Sequence, residues 1–332
     1  MSDSLGHSLG RAARDWAEGV NPWTNVYGLA RTLLALGTAA TLIFSGPGLL
    51  FRPGSGLLEY PVCHSPWKFG LFCACSPYLG LARWLAVAIL LVAASGWRPR
   101  WTALPHWWVT FSLQTSAITL DGGDQVAAVL TLMLLPVALT DKRRWHWQRA
   151  PAEEKLPLRV TMRRLLALSA LAAIRVQVAI IYLHAAVAKW SVEEWTDGTV
   201  LYYWFSDPII GLPGWLKPLL TPVMTRPMVA LFTWGAVLLE FSLFMALVMP
   251  KSRWRMMLLA GVAFHGAIAL TMGLISFGMA MTAALVLYLR PAEDEFALPL
   301  PRLALTRRAG WFRGVYGGRA QQQDEAPAPS GV

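Results

Sequence analysis

Arg175, His184 and Lys189 fall inside or at the edge of the apolar helix that begins the stretch RVQVAIIYLHAAVAKWSVEEWTDGTVLYYW, which runs from Arg175 to Trp204. Ionisable groups at membrane depth are costly, and by default they mark a site. Arg175, Tyr182 and Lys189 are spaced by seven, which puts them on one helical stripe. His184 is rotated well away from Lys189 and faces another surface. Lys189 closes the apolar helix where the chain turns acidic and aromatic. Two roles suit a lysine there. It can snorkel to the interface and anchor the helix end. It can also act as a base, which requires a desolvating environment. The downstream Tyr202, Tyr203 and Trp204 are the candidate walls of an aromatic cavity around it, and with Tyr182 the candidate cofactor contacts.

DGGD at Asp121–Asp124 also has two readings. As a plain turn, Gly122 and Gly123 supply backbone freedom while the aspartates cap helix ends. As a site, Asp121 and Asp124 would face the cavity beside Lys189 and join it, with His184, as catalytic groups. An adjacent anion holds a lysine charged, whereas burial favours the neutral amine.

Arg31, Arg175, Glu240 and His265 form a second group. Counted at about 1.5 Å per residue, the last three fall at similar depth near the bilayer middle, with Arg31 close in height. Isolated charges there require partners. The expectation is a structural network in which Arg175 pairs with Glu240, directly or through His265 or Arg31, in preference to a proton relay.

The cysteines Cys63, Cys73 and Cys75 sit in one Gly- and Pro-rich loop. Cys73 and Cys75 are too close for a comfortable bridge, so Cys63 is expected to pair with one of them. One structural disulfide is preferred to a redox relay. His64 lies beside Cys63, but no spacing resembles a zinc site, and no metal is expected.

Membrane spans must position these groups. The chain has 332 residues, 55% of them hydrophobic, with 17 tryptophans, and its mean hydropathy is +0.45. An ordinary soluble domain does not need so many tryptophans, which gather with tyrosine at membrane interfaces. A span needs about 20 apolar residues. Eight are expected, at about 26–50, 79–94, 106–120, 125–140, 165–190, 228–249, 256–272 and 274–289. The formal net charge of +10 sits in loops and termini, which argues for orientation and against nucleic-acid binding. RAAR, WRPRW, the 141–164 loop, KSRWR and the C-terminal tail are the basic segments, and eight spans put all of them on one side. Both termini are therefore expected to be cytoplasmic. The cysteine loop, DGGD and the 191–227 loop fall on the other side, where disulfides form. The fold class is an all-α, polytopic helical bundle. Residues 1–22 form a cytoplasmic segment with no apolar core of a cleaved signal peptide. Residues 23–291 form the membrane domain, and 292–332 a basic tail whose end, QQQDEAPAPSGV, reads as disordered.

NPWTNVYGLAR, DGGDQ and IIYLHAAVAKWSVEEWTDGTVLYYW together resemble the HTTM family, the horizontally transferred transmembrane domain related to vitamin-K-dependent gamma-carboxylase. The resemblance covers roughly residues 20 to 290 and is nearest to the bacterial, sporulation-delaying protein B-like branch. It implies a multi-span bundle in a bacterial cytoplasmic membrane. It also implies a catalytic base at the position of Lys189, and a motif residue between Asp121 and Gln125. By the same resemblance the partners are a precursor toxin peptide and a second small maturation protein, with membrane lipid around the spans. A quinone or quinol is the cofactor it suggests. No large soluble domain is expected after the spans, so glutamate carboxylation is not implied.

Three functions compete. One is a peptide-maturation enzyme with Lys189 as base. The second is a quinone-linked thiol oxidase working through the cysteine loop. The third is a non-catalytic scaffold or peptide binder.

Overall fold

The last apolar helix among the described residues is the hub of the fold. Its sequence, ISFGMAMTAALVLYL, carries small residues among large ones, and small residues let membrane helices approach closely. In the computed structural model nearly every residue from Gly278 to Leu289 is buried. The structure describes residues 2–52, 61, 63, 67–149, 156–222 and 224–297. His64, Glu153, Glu154, Lys155 and the tail from residue 298 onwards lie outside the described residues. Met1–Phe296 form one compact unit, and Ala297–Val332 a second, of which only Ala297 is described.

In order, the main helices are α1 (Ser2–Gly19), α2 (Asn25–Phe44), α3 (Leu79–Ser95), α4 (Pro99–Ser116), α5 (Gly122–Met133) and α6 (Leu135–Thr140). They continue with α7 (Leu158–Lys189), α8 (Arg226–Met245), α9 (Lys251–Met272) and α10 (Ile275–Leu289). Between α7 and α8 lie three short helices, Glu193–Thr196, Val200–Ser206 and Lys217–Leu220. Among the described residues the only β pairing is an isolated antiparallel bridge between Trp97 and Trp145. The expected all-helical architecture is present. By length and composition, Asn25–Phe44, Gly122–Thr140, Leu158–Lys189, Arg226–Met245 and Lys251–Met272 can cross a membrane, while Leu79–Ser95 and Ile275–Leu289 are apolar but shorter.

Helix α10 packs against α2, α5, α7 and α9. Gly123 shows how close the approach is: a Cβ there would lie 2.5 Å from Phe277 Cα. A second apolar cluster joins α2, α3 and α4 through Leu42, Leu90 and Leu113, with Phe51 and Phe72 beneath them. The expected start of α7 at residue 165 is too late. The helix begins at Leu158, directly after Pro157, and its basic first turns run beside α1, where Arg164 donates to the Ala17 carbonyl at 3.1 Å. The helix of the first expected span stops at Phe44 and not at residue 50, because Ser45 and Gly46 turn extended before Pro47.

Long-range bonds sort the loops into two ends. Arg98 N donates to Arg144 O at 2.7 Å, Asn25 and Phe296 exchange two bonds of 2.8 Å, and Lys251 lies 3.6 Å from Glu293. The basic turns therefore meet at one end of the bundle. At the other, Ser276 donates to Asp121 at 2.7 Å and Ile118 N to Leu50 O at 3.0 Å.

Candidate functional site

Helix α7 delivers Lys189 as its last residue. The ammonium donates to both oxygens of Glu240 on α8, at 2.6 and 2.9 Å, and to its own Ala185 carbonyl at 3.1 Å. Its three donors are thus taken. Nζ also lies 4.9 Å from the centre of the Trp195 ring, within cation–π range. Trp195 is held there by the first short helix after α7 and by packing on Val237 of α8. The pair is poorly exposed, at 17% for the lysine side chain and 9% for the glutamate.

Open space flanks the pair. On the lysine side a cavity of about 360 Å³ is walled by Trp190, Trp195 and Trp234. On the glutamate side a cavity of about 430 Å³ is lined by Gly122 and Gln125 of α5, Gln177, Tyr182 and His184 of α7, and His265 of α9. Tyr182 and His265 share a hydrogen bond of 3.0 Å across it. A partly buried ammonium–carboxylate pair between two such cavities can bind and orient a polar group. It can also pass a proton between its members.

The sequence-derived groups divide in the structure. Lys189, His184, Tyr182, Glu240 and His265 come together around the two cavities, and so does the end of DGGDQ through Gly122 and Gln125. The aspartates do not join Lys189. Asp121 caps α5, accepting from Gly123 N at 2.8 Å and Asp124 N at 3.2 Å, and Asp124 accepts from Thr41 of α2 at 3.1 Å. Tyr202 and Tyr203 stack edge-to-face on each other, 60% and 57% exposed, and line neither cavity. Trp204 instead stacks edge-to-face on Trp195 at 5.5 Å.

The expected Arg175–Glu240 pair is corrected. Glu240 pairs with Lys189, and the Arg175 guanidinium lies 4.1 Å from the Trp254 ring centre. Arg31 donates to Thr102 Oγ1 at 2.7 Å, while His265 bonds Tyr182. The four residues form no common network among the described residues. Equal depth was the wrong criterion: Lys189 is the residue of α7 that reaches Glu240, and Arg175 lies two heptads before it on the same helix, beside Lys251 and Arg290. Of the two pairings open to Cys63, the structure has Cys63–Cys73, with Cys75 free.

Trp195, Trp234 and Gln177 were missed from sequence. Gln177 lies seven residues before His184, so a heptad search from that histidine finds it. No local signal distinguishes Trp195 or Trp234 from the other tryptophans. In the loop above, Asp207 accepts from Ile209 N at 2.7 Å and Ile210 N at 2.9 Å, bonds that hold its carboxyl below the usual carboxylate range.

Two proteins of Bacillus subtilis (strain 168) are similar to the chain. The uncharacterized protein YitO is 44% identical over 277 residues, covering 82% of this chain and 88% of that protein. The sporulation-delaying protein SdpB is 35% identical over 282 residues, covering 84% of this chain and 85% of that protein. No family model matches the chain, and no solved structure matches it.

Proposed function

The chain belongs to the family of the sporulation-delaying protein SdpB, and from that premise we propose that it is a multi-pass protein of a bacterial cytoplasmic membrane that processes a secreted precursor peptide within a toxin system. The proposal includes eight spans, both termini in the cytoplasm, and the Lys189 end of the bundle facing outward. The positive-inside rule supports this, since the basic turns meet at the opposite end. Cysteine replacing Thr199 should then react with an impermeant thiol reagent in intact cells, while cysteine at Ser2 or Ala152 should not.

The observation that carries the reading is the Lys189–Glu240 pair, 2.6 Å apart between two cavities. As a mechanism, the ammonium passes one proton to the Glu240 carboxylate, leaving a neutral amine beside a neutral acid. The amine then takes a proton from the bound substrate. Gln125, Gln177 and His184 offer donors and acceptors to a peptide backbone in the larger cavity. Asp121 and Asp124 hold the start of α5, and so Gln125, against α2 and α10. The resemblance to the carboxylase-related HTTM proteins supports a base at Lys189.

A quinol, the cofactor that resemblance implies, suits the lining residues. A largely apolar cavity of about 520 Å³, walled by Trp204, Phe205, Phe232 and Phe264, shares Trp195 with the lysine cavity. Its walls would hold an isoprenoid tail, with the ring towards Trp195 and the lysine cavity. Bound there, a quinol would supply reducing equivalents.

The precursor peptide is the readout. Mass spectrometry of that peptide from cells with and without this protein names the modification. Lys189→Ala and Lys189→Arg should both leave it unprocessed at unchanged protein yield. Arginine keeps the charge but cannot give up its proton. Normal processing by Lys189→Arg would end the base mechanism and leave the pair as structure within a peptide-binding scaffold. That second reading draws on the full occupation of the three lysine donors.

A further inference from the structure

The basic end of the bundle holds a site that the peptide chemistry does not use. A cleft of about 160 Å³ lies there between α1, α7, α9 and α10. Three cations distant in sequence line it, Arg175, Lys251 and Arg290, against one acid, Glu293. Glu293 sits 3.6 Å from Lys251, where both are well exposed. That leaves a charge excess of two, from three cations less one anion, in a partly buried space.

Arg175 is the informative member. It lies on an apolar crossing helix and forms no ion pair among the described residues. Its Nε is buried without a hydrogen-bond partner, and its guanidinium rests on Trp254. Arg290 is fixed facing the same cleft, stacked on Phe296 and donating to the Asp294 carbonyl at 2.7 Å. Converging like charges at low dielectric repel unless an anion lies between them. The walls are also distinctive. Trp16 of the amphipathic α1 and Trp254 of α9 flank the cations, and tryptophans of this kind sit at the level of lipid headgroups.

We propose that this cleft binds the phosphate of an anionic phospholipid headgroup, with Arg175, Lys251 and Arg290 around the phosphate and α1 lying in the interface beside it. Phosphate is the shared chemistry. The indole walls and the position at the ends of membrane-crossing helices select the lipid-borne form over the free ion. The proposal is independent of the reading of Lys189.

Delipidated full-length protein in neutral detergent micelles tests it, titrated with fluorescent phosphatidylglycerol or phosphatidylcholine. Phosphatidylglycerol should bind at least about ten-fold more tightly. Lys251→Gln, at a site 70% exposed and safe for folding, should weaken phosphatidylglycerol about five-fold. Arg175→Gln with Lys251→Gln should weaken it about 25-fold, the product of two such losses. Phosphatidylcholine binding should not change. Equal affinity for the two lipids, or full phosphatidylglycerol affinity in both Lys251→Gln and Arg290→Gln, would overturn the site. Displacement of phosphatidylglycerol by millimolar inorganic phosphate would overturn the lipid assignment.

Discussion

Two buried polar clusters in this molecule share a composition but not a design. At the basic end, Tyr27, Arg31, Asp141 and His146 are each at most 1% exposed. Tyr27 donates its hydroxyl to Asp141, and Arg143 forks onto the same carboxylate at 2.8 and 3.0 Å. His146 Nε2 lies 3.3 Å from Thr32 Oγ1, which already donates to the Ala94 carbonyl. The histidine must therefore be the donor, in its Nε2–H form. Gly96, at φ 85°, closes the cluster, since a Cβ there would come within 2.3 Å of the His146 ring. The space left beside Arg31 is about 10 Å³. At the Lys189 end a comparable set of groups borders cavities of about 360 and 430 Å³. Buried charge alone does not mark a site. A filled polar cluster fastens helices, and an equally polar one with room beside it can hold a substrate.

The sharpest way to break the comparison is Glu240→Gln, which keeps shape and removes the proton acceptor. Peptide processing should fall about 10²–10⁴-fold, the range for a lost acid–base group, with little change in melting temperature. A normal rate in this variant would reduce the open cluster to a second fastener. Next in size, Asp141→Ala leaves Arg143 buried beside no carboxylate and should cost about 3–5 kcal/mol of stability. Glu240→Ala should cost clearly less, because Lys189 can reach cavity water. Equal losses in denaturant titrations of the two would erase the distinction.

A smaller effect concerns pH. Burial first, then Arg31, Arg143 and His106, pushes the His146 pKa down to about 2. The unfolded histidine binds its proton near its ordinary value of about 6.5. Between those pH values the unfolded state holds more protons, so stability is full above the upper one and declines towards the lower. The slope is about 1.4 kcal/mol per unit, or about 2 kcal/mol by pH 5. Denaturation profiles at pH 7 and pH 5 should show this loss, and His146→Gln should flatten it. An unchanged slope in that variant would assign the acid sensitivity elsewhere. Smallest of all, Cys75→Ser should shift stability by less than about 0.5 kcal/mol and leave processing intact. Loss of processing on that substitution would move the chemistry to the cysteine loop.

Much of this protein was legible because it is local. Apolar stretches, their lengths and the basic turns between them are properties of short segments, so helix positions follow from the order of residues. The capping role of Asp121 and the stripe that places Tyr182 and Lys189 on α7 are local in the same sense. Partner choice is not. Lys189 meets Glu240 across 51 residues because α7 and α8 pack at one particular height and rotation. Arg175 meets Trp254 because it lies two heptads before Lys189 on α7, at the end where α7 packs on α1 and α9 begins. The choice of Cys73 over Cys75, and of Trp195 and Trp234 among 17 tryptophans, has the same origin. Periodicity sets which face of a helix is apolar, but not how far it slides or turns against its neighbour. Close packing around α10 settles that slide and turn, and with it which buried charge finds a partner and which finds open space.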